Sequence, residues 1–259
     1  MTMALYSRFF SGFFSFFAAL FWVGTSFCAT PFAHFTPPKG WLVSDPNLCE
    51  REVKIGFIQS KKKIFSPAIS LTIEKVGDVS LETYLSAVRK NYARHPKHRY
   101  RDIGSLMTKS GAARLLLIDK NSQWGALKIM QAILIYRGYA LIQTATALKK
   151  DFPLVRSHIL ASFRSFAAFQ AVTESLAEPK KQALLASKIA NLQQEWEACQ
   201  KKYQKKGRSL FLNSRFQQNV WQPFVNDLIA TFQDQNPCWQ VLAIKSIQAS
   251  LLTKVRISS

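Results

Sequence analysis

The chain of 259 residues carries 35 lysines and arginines against 15 aspartates and glutamates, a formal charge of +20, with 48% hydrophobic residues. That apolar content is too high for a disordered polycation, and four cysteines in a chain this long do not make a disulfide-stapled small domain. The balance favours a folded basic protein that meets anionic surfaces.

The first element in chain order is an export pattern. Arg8 is followed by FFSGFFSFFAALFWVGTSFCATPFA, with no lysine, arginine or acid before Lys39. Ser26 and Cys28 place small residues at the −3 and −1 positions of a cut before Ala29, so residues 1–28 read as a cleaved signal peptide. A retained membrane anchor is one alternative, because the uncharged run is long enough to span a bilayer. Lipid attachment at Cys28 is another, ranked lower because Phe27 sits where such motifs usually carry a small residue. Cleavage removes Arg8 and leaves a charge of about +19. It also leaves Cys49, Cys199 and Cys238, an odd number that cannot pair completely within one chain. Cys199 with Cys238, both at predicted helix ends, is the pair to consider for a disulfide; packed, reduced thiols are the alternative.

Residues 29–168 read as one α+β domain. GWLVSD, VKIGFIQS and AISLTIEKV are short strand patterns, and in the last of these Ile69, Leu71 and Ile73 alternate with polar or small residues, the period of a half-buried strand. After Gly77-Asp78, Ser80 is placed to cap a helix whose Leu81, Tyr84, Leu85, Val88 and Tyr92 recur at helical spacing, and Pro96 is expected to stop it. RDIGSLMTK, AARLLLIDK, GALKIMQAILIYR and YALIQTATAL are four more strands, broken at Asn121-Ser122 and Gly138. Asp151 is then expected to cap a helix that aligns Phe152, Val155, Ile159, Phe163 and Phe166. Three strands, a helix, four strands and a helix make a largely antiparallel sheet with flanking helices.

PPKGW, AISLTIEKV, SLETYLSAVRK, the hairpin around YRGYALIQTATA and DFPLVRSHILASF together resemble the PsbP-like group over residues Phe35 to Phe166. That group holds the extrinsic photosystem II protein, its bacterial relatives and DcrB-like envelope proteins, and shares its α/β/α sandwich with a Ran-binding nuclear import factor. The resemblance implies a PsbP-like sandwich and a scaffold without catalysis that steadies other proteins at a membrane surface. The import factor meets its partner through acidic surface, so that function does not transfer to a chain this basic.

Residues 169–259 depart from the group's pattern and read as a helical extension, either a helical hairpin or three helices. Glu178-Pro179 opens the first, and Leu185, Ile189, Leu192, Trp196, Cys199 and Tyr203 form a heptad seam expected to end at Gly207. So short a seam suits an intramolecular hairpin better than a coiled-coil dimer. A second helix around Phe216, Val220, Phe224 and Leu228 contains Pro223, which should kink it. A third starts after Asn236-Pro237.

In His95-Pro-Lys-His98 the proline prevents helical presentation of two metal ligands and the flanking cations repel a metal, so no metal site is expected. No GxSxG elbow, HExxH or glycine-rich phosphate loop occurs, and no cofactor is implied. Trp41, Tyr84, Phe152 and Phe163 fall at core spacing rather than as base-stacking aromatics, so nucleic acid is not an expected partner. The candidate patch for an anionic partner is Lys61, Lys62 and Lys63 with Arg89, Lys90, Arg94, Lys97, Arg99 and Arg101. Lys149-Lys150 and the run Lys201 to Lys206 add charge elsewhere. The candidate helix-contact seam is Leu185, Ile189, Leu192, Trp196 and Tyr203. These readings point to an exported, periplasmic or secreted, non-enzymatic envelope protein that binds another protein. Electrostatic attachment to anionic lipid or a cell-envelope polymer is the first alternative, and an unrecognised hydrolase the second.

Overall fold

The structure is a computed structural model, described here for residues 30–44, 53–60, 65–94 and 98–253. The signal pattern, Cys49, Lys61, Lys62, Lys63, His95, Pro96 and Lys97 lie outside the described residues. The chain divides into two compact units, the first ending at Ala168 and the second beginning at Phe169.

The first unit is built on a seven-stranded antiparallel sheet. Its strands are β2 (Trp41–Val43), β3 (Val53–Gln59), β4 (Ala68–Lys75), β5 (Arg99–Thr108), β6 (Gly111–Ser122), β7 (Gly125–Tyr136) and β8 (Tyr139–Leu148), in the order β2-β3-β4-β8-β7-β6-β5. β5 to β8 is a meander of hairpins, and β4 pairs with β8 from Ala68↔Thr146 to Lys75↔Tyr139. Every residue of β8 is buried. A strand buried on both faces needs cover on both, and two helices provide it.

Helix α1 (Leu81–Ala93) lies between β4 and β5 in the chain, and Ser80 Oγ accepts the Thr83 N–H at 3.1 Å as its N-cap. Its Tyr84, Leu85, Val88 and Tyr92 pack with Leu116, Ile118, Ile129, Ile133 and Ile142 of the sheet. Each side chain so buried contributes roughly 1.5–3 kcal/mol. The helix stops at Ala93, with the Arg94 N–H on the carbonyls of Asn91 and Tyr92. Helix α2 (Phe152–Arg164) follows β8 and buries Phe152, Val155, Ile159 and Phe163. Asp151 precedes it with no side-chain capping hydrogen bond, contrary to expectation; its backbone is already helical (φ −91°, ψ −19°), which turns the carboxylate away from a cap's geometry.

One piece of this unit is absent from the sequence reading. β1 (Phe32–His34) pairs with β9 (Ala167–Phe169) in a separate two-stranded sheet. His34 is a strand residue of this unit, and Phe32, Ala33 and Phe35 beside it are buried. The Thr36 N–H donates to Ser165 Oγ at 2.8 Å, and Ser162 Oγ donates to the Thr36 carbonyl at 2.7 Å, so this first segment is tied to the end of α2. The β7–β8 hairpin turns at Arg137 and Gly138, both at positive φ (48° and 77°), the two-residue geometry that matches strand twist. A Cβ at Gly138 would sit 3.3 Å from the Gly77 carbonyl, so glycine is needed there for space as well as for φ.

The second unit is helical. It comprises α3 (Pro179–Tyr203), the short α4 (Gly207–Phe211) and α5 (Ser214–Phe216), a π-helical segment Gln217–Trp221, α6 (Gln222–Thr231) and α7 (Pro237–Thr253). The seam helix ends four residues before Gly207, because Gln204 takes the left-handed conformation (φ 49°) and Gly207 instead starts α4. The disturbance expected at Pro223 takes the form of the π segment just before it: proline offers no N–H to the carbonyl four residues back, and a widened turn accommodates the loss. Asn236 Oδ1 accepts the Trp239 N–H at 3.0 Å and caps α7.

Cys199 and Cys238 are both buried thiols and no disulfide joins them. Each occupies a packed position on its own helix, Cys199 on α3 and Cys238 in the first turn of α7, and burial raises the Cys199 thiol above its ordinary value. A reductant should therefore leave the thermal midpoint unchanged, whereas loss of a native disulfide costs about 2–5 kcal/mol. Melting curves with and without dithiothreitol check this.

Candidate binding surface

The basic stretch from Arg89 to Arg101 spans the end of α1 and the start of β5. Arg89, Lys90 and Arg94 are exposed on the last turns of α1, where cations oppose the negative end of the helix dipole. Tyr92 points inward and stacks on Tyr100 of β5, with ring centroids 5.3 Å apart and planes at 25°; it also meets His98 edge-on at 6.3 Å. The helix end is thus fastened to the sheet edge by an aromatic contact.

Two aspartates then sort the cations. On the α1 side of the sheet Asp102 accepts from Arg114 Nε at 2.9 and 2.8 Å and from the Gly104 N–H at 3.0 Å. Gly104 lies at φ 101°, inside the irregularity that interrupts β5–β6 pairing between Asp102 and Ser105. Burial would raise the Asp102 carboxyl, but the Gly104 and Arg114 hydrogen bonds prevail and hold it below its ordinary range. Burial, then the charge of Asp102, raises the Tyr100 phenol, against the opposing pull of Arg89 and Arg114. On the other side Asp119 lies 3.5 Å from Arg101 and 3.6 Å from Lys128. Lys128 Nζ also sits 5.7 Å over the Phe152 ring of α2.

Arg101, Arg114 and Lys128 are therefore partnered, while among the described residues no ion pair holds Lys90, Arg94 or Arg99. The last three are exposed. The candidate patch read from the sequence contained Arg99 and Arg101 but missed Arg114 and Lys128. Their signal was present only as polar interruptions in otherwise apolar strands.

In the second unit the seam faces inward. Leu185, Leu192, Trp196 and Cys199 are buried, and Ile189 and Tyr203 are half-buried. Trp196 meets Phe216 edge-on at 5.0 Å and Phe211 at 6.5 Å. An open groove of about 390 Å³ is lined by Lys188, Asn191 and Glu195 of α3, Asn219 of the π segment, and Phe224 and Asp227 of α6. Lys188 is paired with Asp227 across it. No histidine, cysteine, serine or threonine lines the groove, whose ionisable groups are Lys188, Glu195 and Asp227. Among the described residues no three His, Cys, Asp or Glu side chains gather to hold a metal ion, and no helix is long and apolar enough to cross a membrane.

Neither a family profile nor a curated protein sequence matches the chain. Solved structures similar to it include LpqN of Mycobacterium tuberculosis, involved in cell envelope biogenesis, at 12% identity and TM-score 0.44 over 54% of this chain and 85% of that one. CyanoP, the cyanobacterial PsbP of Synechocystis sp. PCC 6803, is similar at 15% identity and TM-score 0.40 over 58% and 99%. The Ran-binding protein Mog1p of Saccharomyces cerevisiae is similar at 12% identity and TM-score 0.37 over 52% and 89%. The neighbours thus include the PsbP group that the residues resemble and a Ran-binding protein. The antiparallel seven-stranded sheet with flanking helices is the α+β architecture expected from the sequence.

Two titrations follow from this geometry. Burial, reinforced by the charge of Lys109, lowers the His34 imidazole from 6.5 to about 4. The unfolded chain takes up that proton near its ordinary value and the folded chain only near 4, so the folded state loses about 3 kcal/mol as pH falls through that window. His34→Phe should flatten this part of the profile, as read from urea midpoints at neutral pH and just above pH 4. For Asp102 the sign is also acid-labile: its folded value is depressed, so its contribution is full above the ordinary carboxylate range and is lost below it. Asp102→Asn should melt a few degrees lower than the parent at neutral pH, with the gap closing in acid.

Proposed function

We propose that the protein is an exported, non-enzymatic accessory protein of the cell envelope whose sandwich unit docks on an acidic face of another protein. The observation that carries this reading is the arrangement around α1 and β5. Asp102 pairs with Arg114 on the α1 face and Asp119 with Arg101 and Lys128 on the opposite face, and with the exposed Lys90, Arg94 and Arg99 these cations carry positive charge around the β5 edge. An edge whose supporting cations are already held in ion pairs loses little side-chain freedom on binding, and its field selects and steers a negative partner. Export is supported by the sequence from Arg8 to Ala29, and the lack of catalysis by the absence of any recognisable catalytic motif.

The test is cross-linking of the full chain in its native envelope, followed by recovery of attached proteins. Lys90→Glu with Arg94→Glu and Arg99→Glu should reduce the recovered partner by about tenfold or more, with the fold unchanged by circular dichroism. Recovery of lipid without protein, or equal capture by the reversed variant, would refute the reading.

A further inference from the structure

The helical unit carries a second positive surface, of different composition. From Ala198 to Asn226 the sequence contains no aspartate or glutamate. Within that stretch Lys201, Lys202, Lys205, Lys206, Arg208 and Arg215 are all exposed. Among the described residues none of them is held in an ion pair.

Their backbone is held in place. Gln204 reverses the chain after α3, Ser209 Oγ donates to the Lys206 carbonyl at 2.8 Å, and Asn213 Oδ1 accepts the Arg215 and Phe216 N–H groups at 3.0 and 3.2 Å. Leu210, Phe211 and Phe216 are buried, and Phe211 packs on Phe216 and Trp221 at 6.0 and 5.1 Å. Leu212, next in sequence to Phe211, is 67% exposed. The core positions around it are filled by its neighbours, so this leucine is presented to solvent by a rigid base. Its N–H bonds to the Arg208 carbonyl at 3.0 Å, which puts leucine and arginine one turn apart.

A leucine among cations, with no acid near in sequence, suits one kind of surface. An acidic protein face would answer the charges and leave the leucine against polar groups. An anionic bilayer answers both, offering phosphates to the lysines and arginines and acyl chains to the leucine. We infer that the turn from Lys201 to Arg215 docks the helical unit on an anionic lipid bilayer, with Leu212 entering the acyl region.

Co-sedimentation of the full chain tests this, with vesicles of phosphatidylcholine alone and vesicles containing added phosphatidylglycerol. The gain in binding on adding the anionic lipid is the readout, because it cancels any attachment common to both kinds of vesicle. Lys205→Glu with Lys206→Glu and Arg208→Glu should cut that gain about tenfold or more, and Lys90→Glu with Arg94→Glu should change it by less than about twofold. Leu212→Lys separates insertion from simple charge attraction. It adds a cation yet removes the apolar contact, and should weaken binding about threefold or more. Tighter binding by Leu212→Lys, an unchanged gain in the triple reversal, or a larger loss from Lys90 and Arg94 than from the turn would overturn the inference. Circular dichroism of each variant establishes that it is folded. These outcomes are independent of the cross-linking result for the sandwich unit.

Discussion

The ladder between β4 and β8 holds the first unit together. The strand order places β2, β3 and β4 on one side of it and the β5–β8 meander on the other, so this pairing alone joins the two halves of the sheet. Because β8 is buried at every position, the ladder survives only if both faces are covered. That requirement makes the apolar stripes of α1 and α2 obligatory and leaves their outer faces available for charge. The same order makes β5 an edge strand. Its exposed Arg99 and Arg101, and the irregularity before Ser105, are features by which sheet edges avoid pairing with other chains.

Charge at that edge serves two ends. Asp102 and Asp119 are buried enough to need partners, and Arg114, Arg101 and Lys128 provide them at 2.8 to 3.6 Å. Removing either acid would leave cations crowded on neighbouring strands, so the acids matter more to the surface than their number suggests. The helical unit manages its cations differently. No acid sits within the stretch from Ala198 to Asn226, and the cations there remain solvated. One basic surface thus rests on paired cations; the other has none among its described residues.

Most of the sheet was legible because its strands alternate or run apolar between recognisable turns, and α1 because Tyr84, Leu85, Val88 and Tyr92 keep helical spacing up to a serine cap. Phe32–His34 and Ala167–Phe169 were invisible for a physical reason: three residues are too few to show a period, and only their pairing makes them strands. The seam of α3 was read correctly as a stripe, but its end was assigned to Gly207 because glycine is the usual left-handed residue; Gln204 takes that conformation at a greater steric cost. The candidate surface was half legible. Clustered arginines can be counted in a sequence, whereas Asp102–Arg114 depends on strand register, which no local pattern encodes.

The register Lys75↔Tyr139 to Ala68↔Thr146 also sets an order of assembly. β5, β6, β7 and β8 can zip through successive hairpins, each closed by a short turn, before any distant segment arrives. β4 cannot complete its pairing until the last strand of that meander exists, and β1 must wait longer still for β9. Threaded through a membrane from its N-terminus, such a chain would present β3 and β4 with an unsatisfied edge well before their partner emerged. Under that condition the open β4 edge would be the vulnerable stage, where a holding factor or rapid release of the remaining chain would matter most.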